Sequence, residues 1–484
     1  MYEVMNELLH LAGSNWFLSQ DRQRSCTDMG PANSAGLDTL GTKRHSGRLT
    51  GSSCASVLLS RLLILTTLFT AAASSMYATA ADHATSSDLL RTRNHRYKQT
   101  RSQGRVNSDA YLQLDRLAVA IQAAKKTVTL SDGDLVSCIP ITKQPAVTDS
   151  ATPIQLEPSM VPSKPQNQNG NRKGSKQASQ RFALEVGSCP AGTIPVRRRS
   201  PDQTTAESDQ LDSSSAPVAI HEHAYASTTI AHPPSFKGTE VILNVWEPLV
   251  EPHGFSLAQL WLINTGLAFP FNSSDGLLNT IEAGWQVFPD LYGDNHARLF
   301  IYWTGDDYQE TGCYNLNQGC EAGSLGFIQV SNKVLIGGSI APTSIVNSTQ
   351  YEIKLQVFKD DISGNWWLQF NDEFVGYWPR SLLHSLKDTA DAIDWGGEVI
   401  VHSGNSPHMH TNMGSGEASY LGYKKAAYQR NLQYVGTDNA LHIATGLEAV
   451  TEAALCYGIM AKSSKYWGSF IYYGGSGSCC NFSL

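Results

Sequence analysis

Beyond Thr239 the chain alternates apolar and polar residues with a period of two, in short runs broken by Gly, Asn, Asp and Pro. Val241, Leu243 and Val245 alternate with Ile242, Asn244 and Trp246, and Arg298–Trp303, Tyr351–Phe358 and Asn365–Phe370 repeat the texture. Side chains on a strand point to opposite faces in turn, so many short runs of this kind predict an antiparallel β-sandwich of two sheets. One interruption is expected: from Pro379 the residues Leu382, Leu383, Leu386, Ala390 and Ile393 fall at helical spacing and predict a helix. Earlier in the chain the texture differs. Leu114, Leu117, Ala118 and Ile121 give the apolar stripe of a helix of about 14 residues. Ser131-Asp132-Gly133-Asp134 then marks a turn between Thr127–Leu130 and Leu135–Ile141, which predicts a hairpin.

These patterns divide the chain into a large all-β domain preceded by a small α+β unit, expected to be a catalytic domain and its pro-domain. The pro-domain spans 108–199, with an insert at 142–180 so rich in Pro, Ser, Gln, Asn and Lys that disorder is expected there. Residues 200–220 form a Ser, Asp and Thr rich linker, and 221–484 make up the large domain. Exposed linkers are where proteases cut. Cleavage between Arg199 and His221 is therefore the expected maturation step, with the three arginines Arg197–Arg199 read equally well as a solvated tail.

Leu62–Ala73 is a largely apolar, uncharged run, roughly half the length a bilayer span needs, and reads as the core of a signal peptide over 57–80. Arg61 precedes it, and Ala78-Thr79-Ala80 supplies the small-x-small cleavage pattern. Residues 1–56 are then an extension, expected to be disordered or a gene-model artefact, with Met29 as an alternative start. A short membrane-anchoring helix is the competing reading of the apolar run. Secretion to the extracellular space or cell wall is expected, with the vacuole as a second destination and no stable membrane span once the signal is removed. Cysteine usage agrees, because seven of the nine cysteines lie beyond the signal. The candidate pairings are Cys138 with Cys189, Cys313 with Cys320, and Cys456 with Cys479 or Cys480. Asn272 and Asn347 are candidate glycosylation sites, and Asn481 begins a third sequon. Net charge is −7 with 16% charged residues, which leaves no basic footprint for nucleic acid.

Two segments concentrate the candidate chemistry. In a strand over Ile281–Val287, Glu282, Gly284 and Gln286 share one face while Ile281, Ala283, Trp285 and Val287 take the other. In Trp395–Val401, Glu398 shares a face with Gly396 and Ile400. A carboxylate in an apolar strand is costly without a partner or a task. Brought close together, two carboxyls push their pKa values apart and become an acid and a base around one water molecule. Gln286 is the candidate donor to a developing oxyanion. The competing reading makes each glutamate a rim residue satisfied by an Arg or a backbone amide.

Residues 108–199 resemble the neprosin activation peptide, through Gly133–Pro140 and Cys189–Arg198. From about His221 to Gly475 the chain resembles the neprosin catalytic domain of plant proteins. The motifs that carry this include Ile281–Val287, Leu291–Asp294, Gly312–Asn315, Gly376–Pro379, Trp395–Val399 and Tyr472–Gly475. The resemblance implies a secreted glutamic peptidase on a β-sandwich, without metal or other cofactor, cutting proline-containing peptides after proline and made as a zymogen inhibited by its own pro-domain. It places the catalytic pair at Glu282 and Glu398. One loop departs from the family pattern: Cys320–Gln329 carries an insertion and no proline.

Other chemistries find less support. No Gly-x-Ser-x-Gly is present for a serine hydrolase. His402, His408 and His410 lie in a Ser, Gly and Asn rich loop, and His221-Glu222-His223 lacks the His-Glu-x-x-His spacing of a zinc site. A glycoside hydrolase also uses two carboxylates, and the Trp-rich strands could stack on carbohydrate, though Trp366 and Trp367 are expected to point to opposite faces with at least one in the core; a non-catalytic cell-wall or carbohydrate-binding sandwich is the other alternative.

Overall fold

The computed structural model describes residues 117, 119–147, 153–164, 175–198, 218–228, 235–266, 278–309, 311–316, 326–403 and 411–478. All of them fall within one compact unit, His95–Cys479. The proposed signal segment, Asn272, Cys320, Cys479, Cys480, Asn481, His408 and His410 lie outside the described residues, as does the side chain of His402. Among the described residues no helix is long and apolar enough to cross a membrane.

The amino-terminal part is a three-stranded sheet in the order β1 (Lys126–Thr129), β2 (Leu135–Pro140), β5 (Thr193–Arg197). The hairpin expected around Ser131–Asp134 is present, with Thr129 paired to Leu135. Residues 119–122 are helical, and Ala120, Leu117 and Ile121 pack on Ile139, Ile194 and Val196. Leu114 and Ala118 of the same stripe are outside the described residues. The Cys138–Cys189 disulfide joins β2 to the approach of β5.

The described residues of the 142–180 stretch, 142–147, 153–164 and 175–180, are ordered where disorder was expected. Residues 153–164 lie along the large domain, where Gln155 Nε2 and the Ser159 amide donate to Asp360 Oδ2 at 2.7 and 2.9 Å. β3 (Ser175–Gln177) and β4 (Ser179–Gln180) pair with strands of the large domain. Apolar periodicity is absent here because the order comes from backbone ladders and amide side chains docked on another element rather than from a buried stripe.

The large domain is built from strands β6 (Val218–Thr228), β7 (Gly238–Asn244), β8 (Phe255–Asn264), β9 (Asn279–Val287), β10 (Arg298–Thr304), β11 (Cys313–Tyr314), β12 (Ile328–Gln329), β13 (Ile340–Ala341), β14 (Gln350–Lys359), β15 (Trp366–Phe370), β16 (Glu373–Trp378), β17 (Ala392–Ser403), β18 (Ala427–Val435), β19 (Leu441–Ile443), β20 (Leu447–Thr451), β21 (Gly458–Ser464) and β22 (Gly468–Gly474). Seven form one sheet in the order β11-β10-β9-β8-β17-β6-β20. The second sheet runs β12-β16-β15-β14-β7-β18-β22-β21, with β19 beside β18 and β3 added in parallel to β14. The main ladders are antiparallel, and the inner faces meet in one core: Leu260, Ala283 and Trp285 from the first sheet against Leu243, Leu355 and Val357 from the second. The Trp285 indole also donates across the layers to the Asn244 carbonyl at 2.9 Å. This is the expected two-sheet sandwich.

The helix expected at Pro379 is not formed. The segment makes only a short 3₁₀ turn, Arg380–Leu382, yet Leu383, Leu386, Ala390 and Ile393 are all buried in the core. Asn279 Oδ1 accepts from the His384 and Ser385 amides at 2.8 and 3.1 Å, so backbone groups that a helix would pair internally are satisfied by a side chain of β9. The chain winds irregularly over the core with the burial of a helix and none of its ladder. Trp366 and Trp367 do point to opposite faces, but both are fully buried, the first in the sandwich core and the second under Tyr377 and Phe374. Neither is placed to stack on a glycan.

Candidate active site

The seven-stranded sheet turns its second face away from the sandwich core, and the candidate residues stand on it in three cross-strand rows. The register places Tyr302 (β10), Glu282 (β9), Trp261 (β8) and Asp394 (β17) in one row. The next holds Phe300, Gly284, Gln259, Gly396 and Tyr225. The third holds Arg298, Gln286, Leu257, Glu398 and His223. Glu282 and Glu398 are thus related by a diagonal across three strands, and the side chain at its centre is Gln259. Diagonal neighbours on a sheet lie within reach of long side chains. The Gln259 amide accordingly donates to Glu398 Oε2 at 3.4 Å and also hydrogen-bonds Glu282.

Gln259 is flanked in its own row by two glycines, leaving a side-chain-free trough on either side. Both glycines are sterically required. A Cβ at Gly284 would stand 2.0 Å from the Ala258 carbonyl oxygen, and one at Gly396 would stand 2.2 Å from that of Ala224. From the opposite sheet, Gln429 Nε2 donates to the carbonyls of Gln259 and Gly396 at 3.2 and 2.8 Å, fixing the floor of the trough from below.

The two carboxyls are nearly buried, with 7% and 4% exposure, and their surroundings differ in kind. Glu282 Oε1 accepts from the hydroxyls of Thr280 and Tyr308, both at 2.8 Å. Burial, and then the negative charge of Glu398, push its pKa up to about 7 against those hydrogen bonds. Glu398 faces two imidazoles. His221 Nδ1 lies 2.5 Å and His223 Nε2 3.6 Å from Oε1. Burial would raise this carboxyl too, but the His223 charge together with the His221 hydrogen bond and charge outweighs it and holds Glu398 below its ordinary value. The same sheet face therefore raises one carboxyl and lowers the other.

Aromatic rings wall the Glu282 end. Tyr302 stacks on Tyr308 with centroids 6.0 Å apart and meets Tyr314 at 4.6 Å. Gln286, the other amide on this face, is fully buried. Its Oε1 is 3.5 Å from the Tyr292 hydroxyl, and its Nε2 has no hydrogen-bond partner among the described residues. Leu257 separates it from Glu398 in the row.

Four residues of the site escaped the sequence reading: Gln259, Tyr308, His221 and His223. Gln259 did carry a signal, as a lone amide within the apolar run Leu257–Ile263 and on the same face as Leu257 and Trp261. The spacing of the two histidines bears on metal binding, and nothing local marks them as neighbours of Glu398. Tyr308 comes from a loop, and nothing local marks it. Of the cysteines, Cys313 and Cys456 are disulfide-bonded, with partners outside the described residues. Asn347 is exposed on a turn between β13 and β14.

A buried polar face with a split carboxyl pair, on a two-sheet sandwich, defines a class of β-protein equipped for acid–base chemistry. Residues 252–476 match the Neprosin family profile, a stretch that holds both glutamates and every motif from Ile281 onward, and the chain carries a neprosin domain. Solved structures similar at low level include scytalido-glutamic peptidase with a transition state analog inhibitor, at 7% identity and a TM-score of 0.28, covering 53% of this chain and 99% of that one. The same peptidase with a peptide-based transition state analog matches at 8% identity and 0.27, covering 54% and 98%. SCP-B, a member of the eqolisin family of peptidases, in a complex with the tripeptide Ala-Ile-His, matches at 8% and 0.25, covering 54% and 98%.

Proposed function

We propose that this protein is a secreted, acid-active glutamic endopeptidase that cleaves after proline and is made as a zymogen. The observation that supports the chemistry best is the opposite displacement of two carboxyls joined through Gln259: Glu282 raised to about 7 and Glu398 lowered. Such a split assigns roles. Glu398 takes a proton from a water molecule held in the trough, and the resulting hydroxyl oxygen bonds to the scissile carbonyl carbon. Glu282 gives its proton to the carbonyl oxygen as the tetrahedral adduct forms. Collapse of the adduct breaks the C–N bond: the proton taken up by Glu398 goes to the leaving amine, and one hydroxyl of the adduct returns its proton to Glu282, leaving a carboxylic acid product and the starting state of both glutamates. No metal is needed, because the charge that develops is met by protons and by amide donors. Gln259 is placed to orient both carboxyls, and the unpartnered Gln286 Nε2 remains the candidate donor to the substrate further along the face.

The aromatic wall of Tyr302, Tyr308 and Tyr314 suits a proline ring beside Glu282, since a pyrrolidine offers flat apolar C–H edges to tyrosine faces. Zymogen character is supported by how firmly the amino-terminal part is built into the sandwich, through β3, β4 and the buried Asp134–Arg298 pair. Among the described residues its hydrogen bonds and ion pairs reach the sheet ends and Arg298 rather than Glu282 or Glu398. Export is supported by the Cys138–Cys189 disulfide together with the apolar run at Leu62–Ala73.

The test is direct. The purified chain, acidified and offered proline-containing peptides and cell-wall glycans, is compared with Glu282→Gln and Glu398→Gln. Peptide cleavage after proline that disappears in both variants supports the proposal. Cleavage that survives in either, or glycan cleavage without proteolysis, overturns it.

A further inference from the structure

We propose that His221 is a positioning residue for Glu398, pinning one carboxylate oxygen so that the other is presented to the trough. The inference rests on the peptidase reading and adds to it the device that aims the base. His221 Nδ1 sits 2.5 Å from Glu398 Oε1, and His223 Nε2 approaches the same oxygen at 3.6 Å. Oε2 is left toward Gln259, at 3.4 Å, on the side where the trough runs. Neither imidazole is loosely held. His221 packs edge-on against Phe255 at 6.0 Å and lies parallel to His223 at 6.3 Å. His223 is tied through Nδ1 to Glu452 Oε2 at 3.0 Å, and its own backbone amide donates to that oxygen at 3.2 Å.

Among the described residues, the charged or titratable groups on this face around Glu398 include His221, His223 and Tyr225 on β6, Asp394 two rows away on β17, Glu282 across Gln259 on β9, and Glu452 behind His223. Leu257 and Gln259, its neighbours on β8, carry no charge, and Glu222 points to the other face of β6 by alternation. A carboxylate so placed has one oxygen held against a fixed imidazole nitrogen. A general base works only with its accepting lone pair aimed at the proton it will take. The two imidazoles, His223 through its charge and then His221 through its hydrogen bond and charge, hold Glu398 below its ordinary value, so that it stays ionised further into acid.

The experiment measures kcat and KM across the acid range for the wild-type chain, His221→Gln, His223→Gln and Glu398→Gln. Glutamine keeps a donor near Oε1 but removes the charge and the ring. With His221→Gln, kcat at the acid end falls at least tenfold, KM changes little, and the acid limb of the kcat profile moves up by about one pH unit, the scale of an opposite charge lost beside a carboxylate. An acid limb that stays in place in His221→Gln, with Glu398→Gln inactive, overturns the inference while leaving the dyad standing. Full activity in Glu398→Gln overturns the dyad itself. A second readout is independent of turnover: the carboxyl ¹³C titration of Glu398 in the Glu282→Gln background, with and without His221→Asn. Its midpoint rises when the histidine is lost if the inference holds, and stays fixed if it does not.

Discussion

Glu282 and Glu398 stand at opposite ends of a diagonal over β9, β8 and β17, with a single amide, Gln259, between them. The arrangement couples the two carboxyls while giving them opposite environments: hydroxyl donors at one end and imidazoles at the other. Stability follows from this as well as chemistry. Glu282 is raised from 4.5 to about 7, so the folded chain keeps a proton that the unfolded chain releases between those values. The contribution is complete below about pH 4.5 and is lost as pH rises through about 7, a loss of about 3 kcal/mol. Urea unfolding in acid and in mild base should show this difference for the wild type, reduced by about that amount in Glu282→Gln.

How much of this was legible in the sequence depended on whether a signal was local. The strands of the sandwich, the hairpin at Ser131–Asp134 and the facing of Glu282 away from Trp285 follow from alternation, a property each strand carries alone. The segment after Pro379 misled for an instructive reason. Its apolar spacing records burial, and burial is satisfied equally by a helix or by a chain pinned by Asn279. The candidate site divides in the same way. Each glutamate stood out as a charge in an apolar strand, but Tyr308, His221 and His223 become neighbours only through sheet order, which places β6 beside β17 and a loop over β9.

Alanine at Gly284 or Gly396 should be among the most damaging small substitutions in the chain. A Cβ would stand 2.0 Å from a carbonyl oxygen in the first case and 2.2 Å in the second, and both obstacles are backbone that cannot swing aside. The strands would have to part, and a cost of about 3 kcal/mol or more is expected. Thermal unfolding of Gly284→Ala and Gly396→Ala checks it. A variant that melts with the wild type would show that the sheet relaxes at this point.

Asp134 links the amino-terminal part to the sandwich. Its carboxylate is buried between Arg197 Nε at 2.7 Å and Arg298 Nη1 at 2.6 Å, and Arg298 is fully buried with Asp294 as its other acid. Removing one member of such a cluster leaves uncompensated charge in a dry place, at a cost of about 3 kcal/mol. Asp134→Asn should therefore lower the unfolding midpoint of the full chain. Once the linker between Arg199 and His221 is cut, it should also speed release of the amino-terminal fragment, read by size-exclusion chromatography. Replacing an exposed acid such as Asp388, paired with Arg380 at the surface, should do neither.

Tyr308 offers a test that separates the two ends of the diagonal. Its hydroxyl donates to Glu282 Oε1 at 2.8 Å and opposes the rise caused by burial and by Glu398. Phenylalanine removes this donor while keeping the ring that stacks on Tyr302. The ionised form of Glu282 then loses support, so its pKa climbs above about 7. If Glu282 acts as the acid, it stays protonated to higher pH, and the basic limb of the kcat/KM profile moves upward in Tyr308→Phe. Glu398 has no bond to this hydroxyl, so the acid limb should hold its place. An upward move of the acid limb with the basic limb fixed would reverse the roles assigned to the two carboxyls, because the raised pKa of Glu282 would then belong to a group that must be ionised.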